Sequence, residues 1–377
     1  MYKKLILPAS ILAETIIGAG MFALPYIFTL SGIGLGLIYL LFLGGVLALI
    51  HLMYADIILR TPENHRLMGY AKFYFGKSGF WGSLIITIIG ALLILTAYLI
   101  LSVSFINVLA PSLPDIYKML IFWALASLPV FLGINKLAAS ELFVLSGTIL
   151  IVLTLFGFSF GGLEKLINIY PFFNFNVDYL FFPFGVILFS MYGRSAIPAV
   201  LGYFRNNNES PASAKWPIIL GTIAPIIIYA VFVFAILGLS DVVSEDSVLG
   251  LVGQLPFFIL ALLAILAIIE LWSTYVVIAR DIKKSLEHDL NAAPVVSGII
   301  IVALSPIVYF LGFQSFITLV DYVGSVFIGL EGILIVLIWR KISKIESEHK
   351  IFNKINPLVI YLLLLVFAGG ILYKLIY

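Results

Sequence analysis

The 377-residue chain contains no cysteine, and only 11% of its residues are charged, whereas 63% are hydrophobic. The lack of cysteine excludes disulfide bonds, thiol catalysis and metal sites held by thiolates. So few charges cannot cover the surface of two or three soluble domains of this total length. A mean hydropathy of +1.18, spread along the whole chain, instead indicates an all-α protein that crosses a membrane many times.

Hydrophobic runs of about 18 residues or more, separated by polar interruptions, predict eleven transmembrane helices. The first run contains Glu14 and internal glycines and is not followed by a small-residue cleavage site, so we interpret it as a permanent span and not as a signal peptide. The predicted spans are residues 5–30, 35–59, 80–109, 118–134, 139–160, 179–203, 216–239, 255–279, 294–312, 315–339 and 355–376.

The basic residues fall mainly on one side of the predicted membrane. With the N-terminus inside, seventeen of the 21 Lys and Arg residues lie on the cytoplasmic side; only Lys118, Lys165 and Lys374 lie outside, and Arg194 lies within a span. Lys and Arg collect in cytoplasmic loops. We therefore expect a multi-pass protein of the plasma (inner) membrane with a cytoplasmic N-terminus and an external C-terminus.

A glycine-containing hydrophobic segment occurs twice, as GMFALP at residues 20–25 and as GRSAIP at residues 193–198. The offset of 173 residues also brings the third and fifth spans close to the eighth and tenth. Glycine patches also serve helix packing in membranes, but the matched spacing favours a repeat of five spans, inverted because five is odd. The sequence predicts a single membrane domain over residues 1–376, with repeats at 5–160 and 179–339 and an extra helix at 355–376.

Each copy of the segment predicts a break in its helix near the middle of the membrane. Unwound backbone is tolerated there only where it is buried or lines a cavity. A break near Gly18 to Gly20 would free amide groups at the positive end of a half-helix, which suit a carboxylate. A break near Ser190 to Gly193 would free carbonyl groups, which suit an ammonium group. Facing each other, the two breaks would form a site for a zwitterion.

The segment IGAGMFALP at residues 17–25 resembles the first-helix signature of the bacterial aromatic amino acid permeases, the tyrosine and tryptophan carriers of the amino acid-polyamine-organocation superfamily. The second break and the basic loop LMGYAKFYFGK at 67–77 fit that family as well. The resemblance implies a leucine-transporter-type fold of five plus five inverted helices and one extra helix. It also implies import of amino acids, most of all aromatic or large neutral ones, by alternating access.

By the same resemblance, the substrate lies between spans 1, 3, 6, 8 and 10. Backbone groups at the two breaks would hold the carboxylate and the ammonium group, and two tyrosines would contact the substrate or gate it, with core packing as their alternative role. The implied substrate-binding residues are Gly18, Ala19, Gly20, Met21, Tyr98, Phe189, Ser190, Met191 and Tyr192.

Three ionisable residues lie within the predicted spans near the breaks, and we expect Glu14, Glu270 and Arg194 to meet, since such groups usually face a cavity or one another. Ser273 and Thr274 resemble the hydroxyl pair of the sodium site in sodium-coupled relatives. Two adjacent buried carboxylates cannot both be ionised cheaply, so one is expected to hold a proton. This predicts proton symport with Glu14 and Glu270 as carriers. Sodium coupling and a static ion pair between Glu14 and Arg194 stay open as alternatives.

Other charged residues have simpler interpretations. Glu141 follows Lys136 by five residues, which indicates a local salt bridge, although the resemblance also implies that span 5 carries coupling groups in some relatives. Asp56 and His51 lie near the end of span 2, where a solvated helix end accounts for them.

An intramembrane enzyme is the alternative from another class. Asp56 and Asp321 could form an aspartyl-protease-like pair, but the Gly-x-Gly-Asp context is absent, as are a His-Glu-x-x-His run and a Walker-type loop. We therefore expect no enzyme, no cofactor, no metal and no nucleic-acid partner. The expected partners are an amino acid substrate, a proton or sodium ion as the coupling ion, and the lipid bilayer.

Overall fold

All regular secondary structure in the described part of the computed structural model is helical. A membrane offers no water to the backbone, and a helix pairs its own amide and carbonyl groups, which is why long hydrophobic runs take this form. The structure describes residues 2–62, 65–132, 137–162, 179–345 and 350–377, together with residues 164, 166, 169, 170 and 172.

Fourteen α-helices of seven residues or more form the described bundle. A π-helix (Tyr2–Ile6) precedes the first, and a π-helix (Val323–Ile328) joins the twelfth to the thirteenth. In chain order they are α1 (Leu7–Ile16), α2 (Gly20–Ser31), α3 (Ile33–Arg60), α4 (Leu67–Leu109), α5 (Asp115–Phe131), α6 (Leu137–Ser159), α7 (Phe182–Ser190), α8 (Ile197–Asn206), α9 (Lys215–Leu239), α10 (Phe257–Leu290), α11 (Pro294–Phe310), α12 (Phe316–Tyr322), α13 (Gly329–Ile342) and α14 (Pro357–Ile376).

Helix length supports eight or nine membrane spans among the described residues. Eight helical segments are long and hydrophobic enough to cross a membrane, and the bent pair formed by Tyr2–Ile16 and Gly20–Ser31 would be a ninth. Helices α5 and α11 lie where the sequence predicts the fourth and ninth spans, but each has only 17 residues. The predicted count of eleven is therefore not established by helix length.

Two helices extend beyond their predicted bounds. The predicted basic loop at 67–77 is helical and forms the first part of α4, which turns at Gly76, where φ is 68° and favours glycine. Helix α10 continues to Leu290, eleven residues past the predicted end at 279. This extension carries Asp281 into the folded bundle, where it is almost fully buried.

Contacts bring together the π-helix before α1, the start of α4 and the ends of α3, α8, α10 and α13 at one end of the bundle, which we call the basic face. The Tyr203 hydroxyl donates to the carbonyl oxygen of Lys3 over 2.9 Å. The Gly69 amide donates to Asp289 over 2.9 Å, and Arg60 donates to the carbonyl oxygen of Ile345 over 3.0 Å. Segments far apart in the sequence are thus tied together at this end.

The interpretation of Asp56 and His51 as a solvated helix end is wrong. Asp56 is fully buried and accepts hydrogen bonds from the Trp339 indole over 2.8 Å and from the Ile351 amide over 2.7 Å. His51 is also buried, and its Nδ1 lies 3.1 Å from the Thr222 hydroxyl. Both residues lie inside the bundle because α3 is packed against other helices up to its last turn.

Candidate substrate and coupling site

Two broken helices meet in the middle of the bundle, as the sequence predicts. The first break separates α1 from α2, which are bent by 58° at residues 17–19. The second separates α7 from a short 3-10 turn (Arg194–Ala196) that leads into α8. The Ser190 hydroxyl lies 2.9 Å from the carbonyl oxygen of Gly20 and 2.8 Å from that of Val186, to either of which it donates, so the two breaks are in direct contact.

Gly20 is required for this close approach. A Cβ atom added at Gly20 would lie 2.3 Å from the Cα atom of Ser190, which is backbone and cannot turn away. Small residues allow backbones to approach in this way inside membranes. The glycine that the repeated segment singles out therefore brings the two half-helices together.

Tyr229 on α9 holds both breaks at once, and the sequence pattern did not identify it. Its hydroxyl lies 2.6 Å from the carbonyl oxygen of Ile16 and 2.8 Å from that of Ser190, to either of which it donates. These carbonyls end α1 and α7, where helices leave carbonyl groups without intrahelical partners, and that of Ile16 also accepts from the Gly18 amide over 2.8 Å. The sequence offers only one signal for this role of Tyr229, namely a single tyrosine within an otherwise hydrophobic span. Core packing explains most such residues.

The predicted substrate-binding residues lie around the two breaks, and their role stays a prediction. The Tyr98 hydroxyl faces the Ala19 amide and Thr274, and it lies 2.3 Å from where a Cβ atom on Gly18 would be. Tyr192, in contrast, accepts a hydrogen bond from Arg194 over 2.9 Å, so it faces the ion cluster described below. The other predicted residues in the two segments, Met21, Phe189 and Met191, are buried.

A small cavity adjoins the first break. It has a volume of about 10 Å³, and its lining includes Met21, Thr148 and Glu270. A volume of this size holds about one water molecule. The break between α1 and α2 is thus linked to an ionisable side chain on α10 by a water-sized space.

Three buried carboxyl groups lie together beside the first break: Glu14 on α1, Glu141 on α6 and Glu270 on α10. We call them the three-carboxyl cluster. The Ser273 hydroxyl donates to Glu141 over 3.1 Å, and the Thr148 hydroxyl donates to Glu270 over 2.6 Å. Glu14, Glu270 and Ser273 are therefore brought together as expected.

Glu141 belongs to this cluster although the sequence interpretation assigned it to a local salt bridge. Its expected partner, Lys136, lies outside the described residues. In the structure Glu141 is 4% exposed, accepts from Ser273 and faces Glu14. Only the packing of α6 against α1 and α10 reveals this placement, since nothing local in the sequence records it.

Arg194 does not meet Glu14 or Glu270, so that expectation is wrong. Its Nη1 lies 2.9 Å from Asp281, its Nε pairs with Glu331, and its guanidinium lies 5.6 Å from the centre of the Tyr54 ring. We call Arg194, Asp281 and Glu331 the Arg194 cluster. Asp281 follows Glu270 by eleven residues on α10, which separates the two clusters by roughly 16 Å along the helix. An ion pair between Glu14 and Arg194 is therefore excluded in this conformation.

A larger cavity opens beside the Arg194 cluster at the basic face. It has a volume of about 130 Å³ and is lined by Ile58, His65, Arg66, Tyr70, Pro198, Arg205 and His288. Arg66 Nε lies 3.6 Å from Asp281, the same carboxylate that Arg194 binds. The Arg194 cluster thus lies between the second break and this cavity.

The pair proposed for the aspartyl-protease alternative is not assembled. Asp56 lies at the basic face against Trp339 and Ile351, whereas Asp321 on α12 lies 2.6 Å from Lys374 on α14. Each aspartate thus has partners of its own.

Comparisons with known proteins concern the family and the fold of the chain. The model of the tryptophan/tyrosine permease family matches residues 1–376. A crystal structure of MhsT in complex with L-phenylalanine is similar over 98% of this chain and 97% of that chain, with a TM-score of 0.63 and 14% identity. Mhp1, a nucleobase-cation-symport-1 family transporter in a closed conformation with bromovinylhydantoin bound, is similar over 97% of this chain and 89% of that chain, with a TM-score of 0.65 and 14% identity. No curated protein matches the chain. The similarity to the two structures confirms the predicted leucine-transporter-type fold.

Proposed function

Because this chain belongs to the tryptophan/tyrosine permease family, we propose that it is a proton-coupled symporter that imports aromatic or other large neutral amino acids by alternating access. Its family and its fold make it a multi-pass membrane protein and a secondary transporter of amino acids, not an enzyme. The substrate class, the coupling ion and the direction of transport are the parts that we propose.

The contact between the two helix breaks is the observation that carries the proposal. The start of α2 presents backbone amides at the positive end of a helix dipole, which suits a carboxylate. The end of α7 presents carbonyl oxygens, which suit an ammonium group. The Ser190 hydroxyl lies 2.9 Å from the carbonyl oxygen of Gly20, so the two ends lie within the span of one amino acid. MhsT, which shares the fold, binds L-phenylalanine, and this favours an aromatic substrate.

Within this site we assign the carboxylate of the substrate to the amides of Gly18, Ala19 and Gly20, with Tyr98 beside them. The ammonium group is assigned to the carbonyls from Phe189 to Met191. Placement supports the assignment, since Tyr98 faces the Ala19 amide and Ser190 contacts Gly20.

Proton coupling is assigned to Glu14 and Glu270, with Ser273 and Thr274 beside them. None of the ion pairs among the described residues includes either carboxyl group, and both groups are buried. A buried carboxylate without a cation is costly, and a bound proton removes the charge. Sodium is the alternative ion, because carboxylate and hydroxyl oxygens also bind it.

The orientation and the repeat complete the proposal. The basic face is assigned to the cytoplasm, since Lys and Arg collect there in membrane proteins. Residues 5–160 and 179–339 are assigned to two inverted repeats, whose first helices are the two broken ones. Rocking of one part of the bundle against the other would then expose the central site to each side in turn.

Uptake into proteoliposomes tests the function. Wild-type protein is expected to exchange external labelled L-tryptophan, L-tyrosine or L-phenylalanine for internal unlabelled substrate, and to accumulate it under an inwardly directed pH gradient. A sodium gradient without a pH gradient should not support accumulation. Absence of saturable exchange with all twenty amino acids would overturn the assignment of an amino acid substrate.

A pair of glycine variants ties the activity to the helix breaks. Gly20→Ala inserts a methyl group against the Ser190 backbone, whereas a Cβ atom added at Gly45 on α3 meets nothing within 4 Å. Gly20→Ala is expected to abolish exchange, and Gly45→Ala is expected to keep it. Equal activity of the two variants would show that the contact between the breaks is not the substrate site.

A further inference from the structure

The three-carboxyl cluster brings acidic side chains from three different helices into one buried place. Glu14, Glu141 and Glu270 are 0%, 4% and 1% exposed, respectively. The strongest charged neighbours of the Glu14 carboxyl group are the other two carboxyl groups. The phenols of Tyr98 and Tyr229 face the cluster from α4 and α9. Among the described residues, no ion pair brings a cation to any of the three.

Hydrogen-bond donors are distributed unequally over the cluster. Glu141 receives the Ser273 hydroxyl, and Glu270 receives the Thr148 hydroxyl. Both carboxyl oxygens of Glu14 are buried without a hydrogen-bond partner, and the Ser273 hydroxyl, which faces Glu14, donates to Glu141. Buried polar atoms normally find a partner, so these atoms indicate a ligand that supplies a donor.

A proton is the ligand that fits. The carboxyl groups of Glu14 and Glu141 are close enough to share a hydrogen bond when one of them is protonated. One added proton therefore gives Glu14 the donor that it lacks and removes one negative charge from the cluster. We propose that Glu141 is a third proton-binding residue and that the coupling proton is shared between Glu14 and Glu141.

This inference rests on the proposed proton symport and changes its residues. Glu270 is held by Thr148, so it remains beside the water-sized cavity and connects the shared proton to the first break. On loading, a proton from external water forms an O–H bond on Glu14 or Glu141; on release, that bond breaks and the proton passes to water on the cytoplasmic side. The carboxyl groups are unchanged by the cycle.

The shared proton also gives a reason for coupling. It attracts α1 to α6, whereas two ionised carboxylates at the same place would repel these helices. Glu14 lies one turn before the break that is assigned to substrate. Loss of the proton therefore loosens the helix that holds the substrate carboxylate.

Glu141→Gln in proteoliposomes tests the inference, with Glu14→Gln as the partner variant and Glu245→Gln, in an exposed loop, as the control. The membrane voltage is clamped, and a pH gradient of about one unit is imposed, which can support at most about tenfold accumulation for one coupled proton. Wild-type protein and Glu245→Gln are expected to accumulate substrate up to this limit. Glu141→Gln and Glu14→Gln are expected to lose pH-driven accumulation by a much larger factor than they lose substrate exchange.

The outcomes separate this inference from the proposed function. Full accumulation by Glu141→Gln overturns the role of Glu141 and leaves symport intact. Wild-type exchange without any pH-driven accumulation overturns both the proton and the inference but leaves an amino acid carrier. Absence of wild-type exchange overturns the function itself.

A second variant decides the matter if Glu141→Gln shows no exchange. Glu141→Asp keeps a carboxyl group but draws it back from Glu14 by about one carbon–carbon bond. A shift in the pH dependence of uptake relative to wild type supports the shared proton, whereas an unchanged pH dependence overturns it.

Discussion

The molecule buries two groups of charges, and they differ in whether a cation is enclosed with the anions. The Arg194 cluster surrounds one guanidinium with the carboxylates of Asp281 and Glu331. The three-carboxyl cluster encloses no cation that the described structure shows. Removing one partner from a buried ion pair is costly, because it leaves the other charge uncompensated. Carboxylates without a partner must obtain a positive charge from solution, which is what a coupling site requires.

Helix α10 carries a member of each cluster and so connects the two regions. Glu270 lies beside the first break, and Asp281 lies eleven residues further on, next to the cavity at the basic face. The Arg194 cluster joins the 3-10 turn after the second break to α10 and α13. Opening of the central site toward the basic face must therefore separate these elements. The Arg194 cluster, in which the charges are paired, suits a gate. The three-carboxyl cluster, in which they are not, suits a proton site.

Removing Arg194, the enclosed cation, should have the largest effect on the stability of the folded protein. Arg194→Leu leaves Glu331 buried without a cation and Asp281 with only Arg66, 3.6 Å away, and breaking a buried pair in this way costs about 3–5 kcal/mol. We expect a large fall in the thermal unfolding midpoint of the detergent-purified protein. Arg194→Lys keeps the charge but not the planar fork, so its loss should be smaller. A wild-type midpoint for Arg194→Leu would break the comparison, because it would show that the cluster is not held by its ion pairs.

Removing one of the two anions of the Arg194 cluster should open the basic face with a smaller loss of stability. Asp281→Asn weakens one contact of Arg194 while Glu331 keeps the other, so the folded protein should persist. Since the chain has no cysteine, a single Ser195→Cys substitution reports access at this position, where the serine is only 5% exposed. We expect faster labelling by a membrane-impermeant thiol reagent in inside-out vesicles when Asp281→Asn is added. Equal labelling rates with and without Asp281→Asn would contradict a gate at this place.

The sequence predicts the breaks well because their signals are local. Glycine and proline within a hydrophobic run fix the positions near Gly20 and Gly193 without reference to other helices. The partners of Arg194 could not be predicted in the same way. Asp281 falls beyond the predicted end of its span, and only the extension of α10 to Leu290 brings it into the bundle.

Glu141 shows most clearly which contacts cannot be predicted from the sequence. Its nearest basic residue along the chain suggested a salt bridge, whereas its contacts with Glu14 and Ser273 come from helices far away in sequence. Burial and charge compensation depend on which helix faces pack together. Hydrophobic periodicity along a span that is apolar on every side does not record those faces.

Tyr229→Phe should have an intermediate effect on stability, because it changes a contact with each of the two helix breaks. It removes the donor that lies 2.6 Å and 2.8 Å from the carbonyls of Ile16 and Ser190. An unpaired buried polar group costs about 1–3 kcal/mol, so we expect a moderate fall in the unfolding midpoint together with reduced substrate exchange. Tyr361→Phe, at a side chain that is 55% exposed, is the matched control. If the two variants behave alike, Tyr229 does not hold the breaks.

Glu14→Gln should have the smallest effect on stability, and this sharpens the contrast with Arg194. An amide resembles the protonated carboxyl group, and no ion pair among the described residues is lost with it. We expect the unfolding midpoint at neutral pH to stay within the equivalent of about 0.5 kcal/mol of wild type, or to rise, because removing a charge from an uncompensated group relieves repulsion. The same variant should lose pH-driven accumulation. A destabilisation as large as that of Arg194→Leu would mean that Glu14 is ionised and paired in the folded protein, and the two clusters would then be of the same kind.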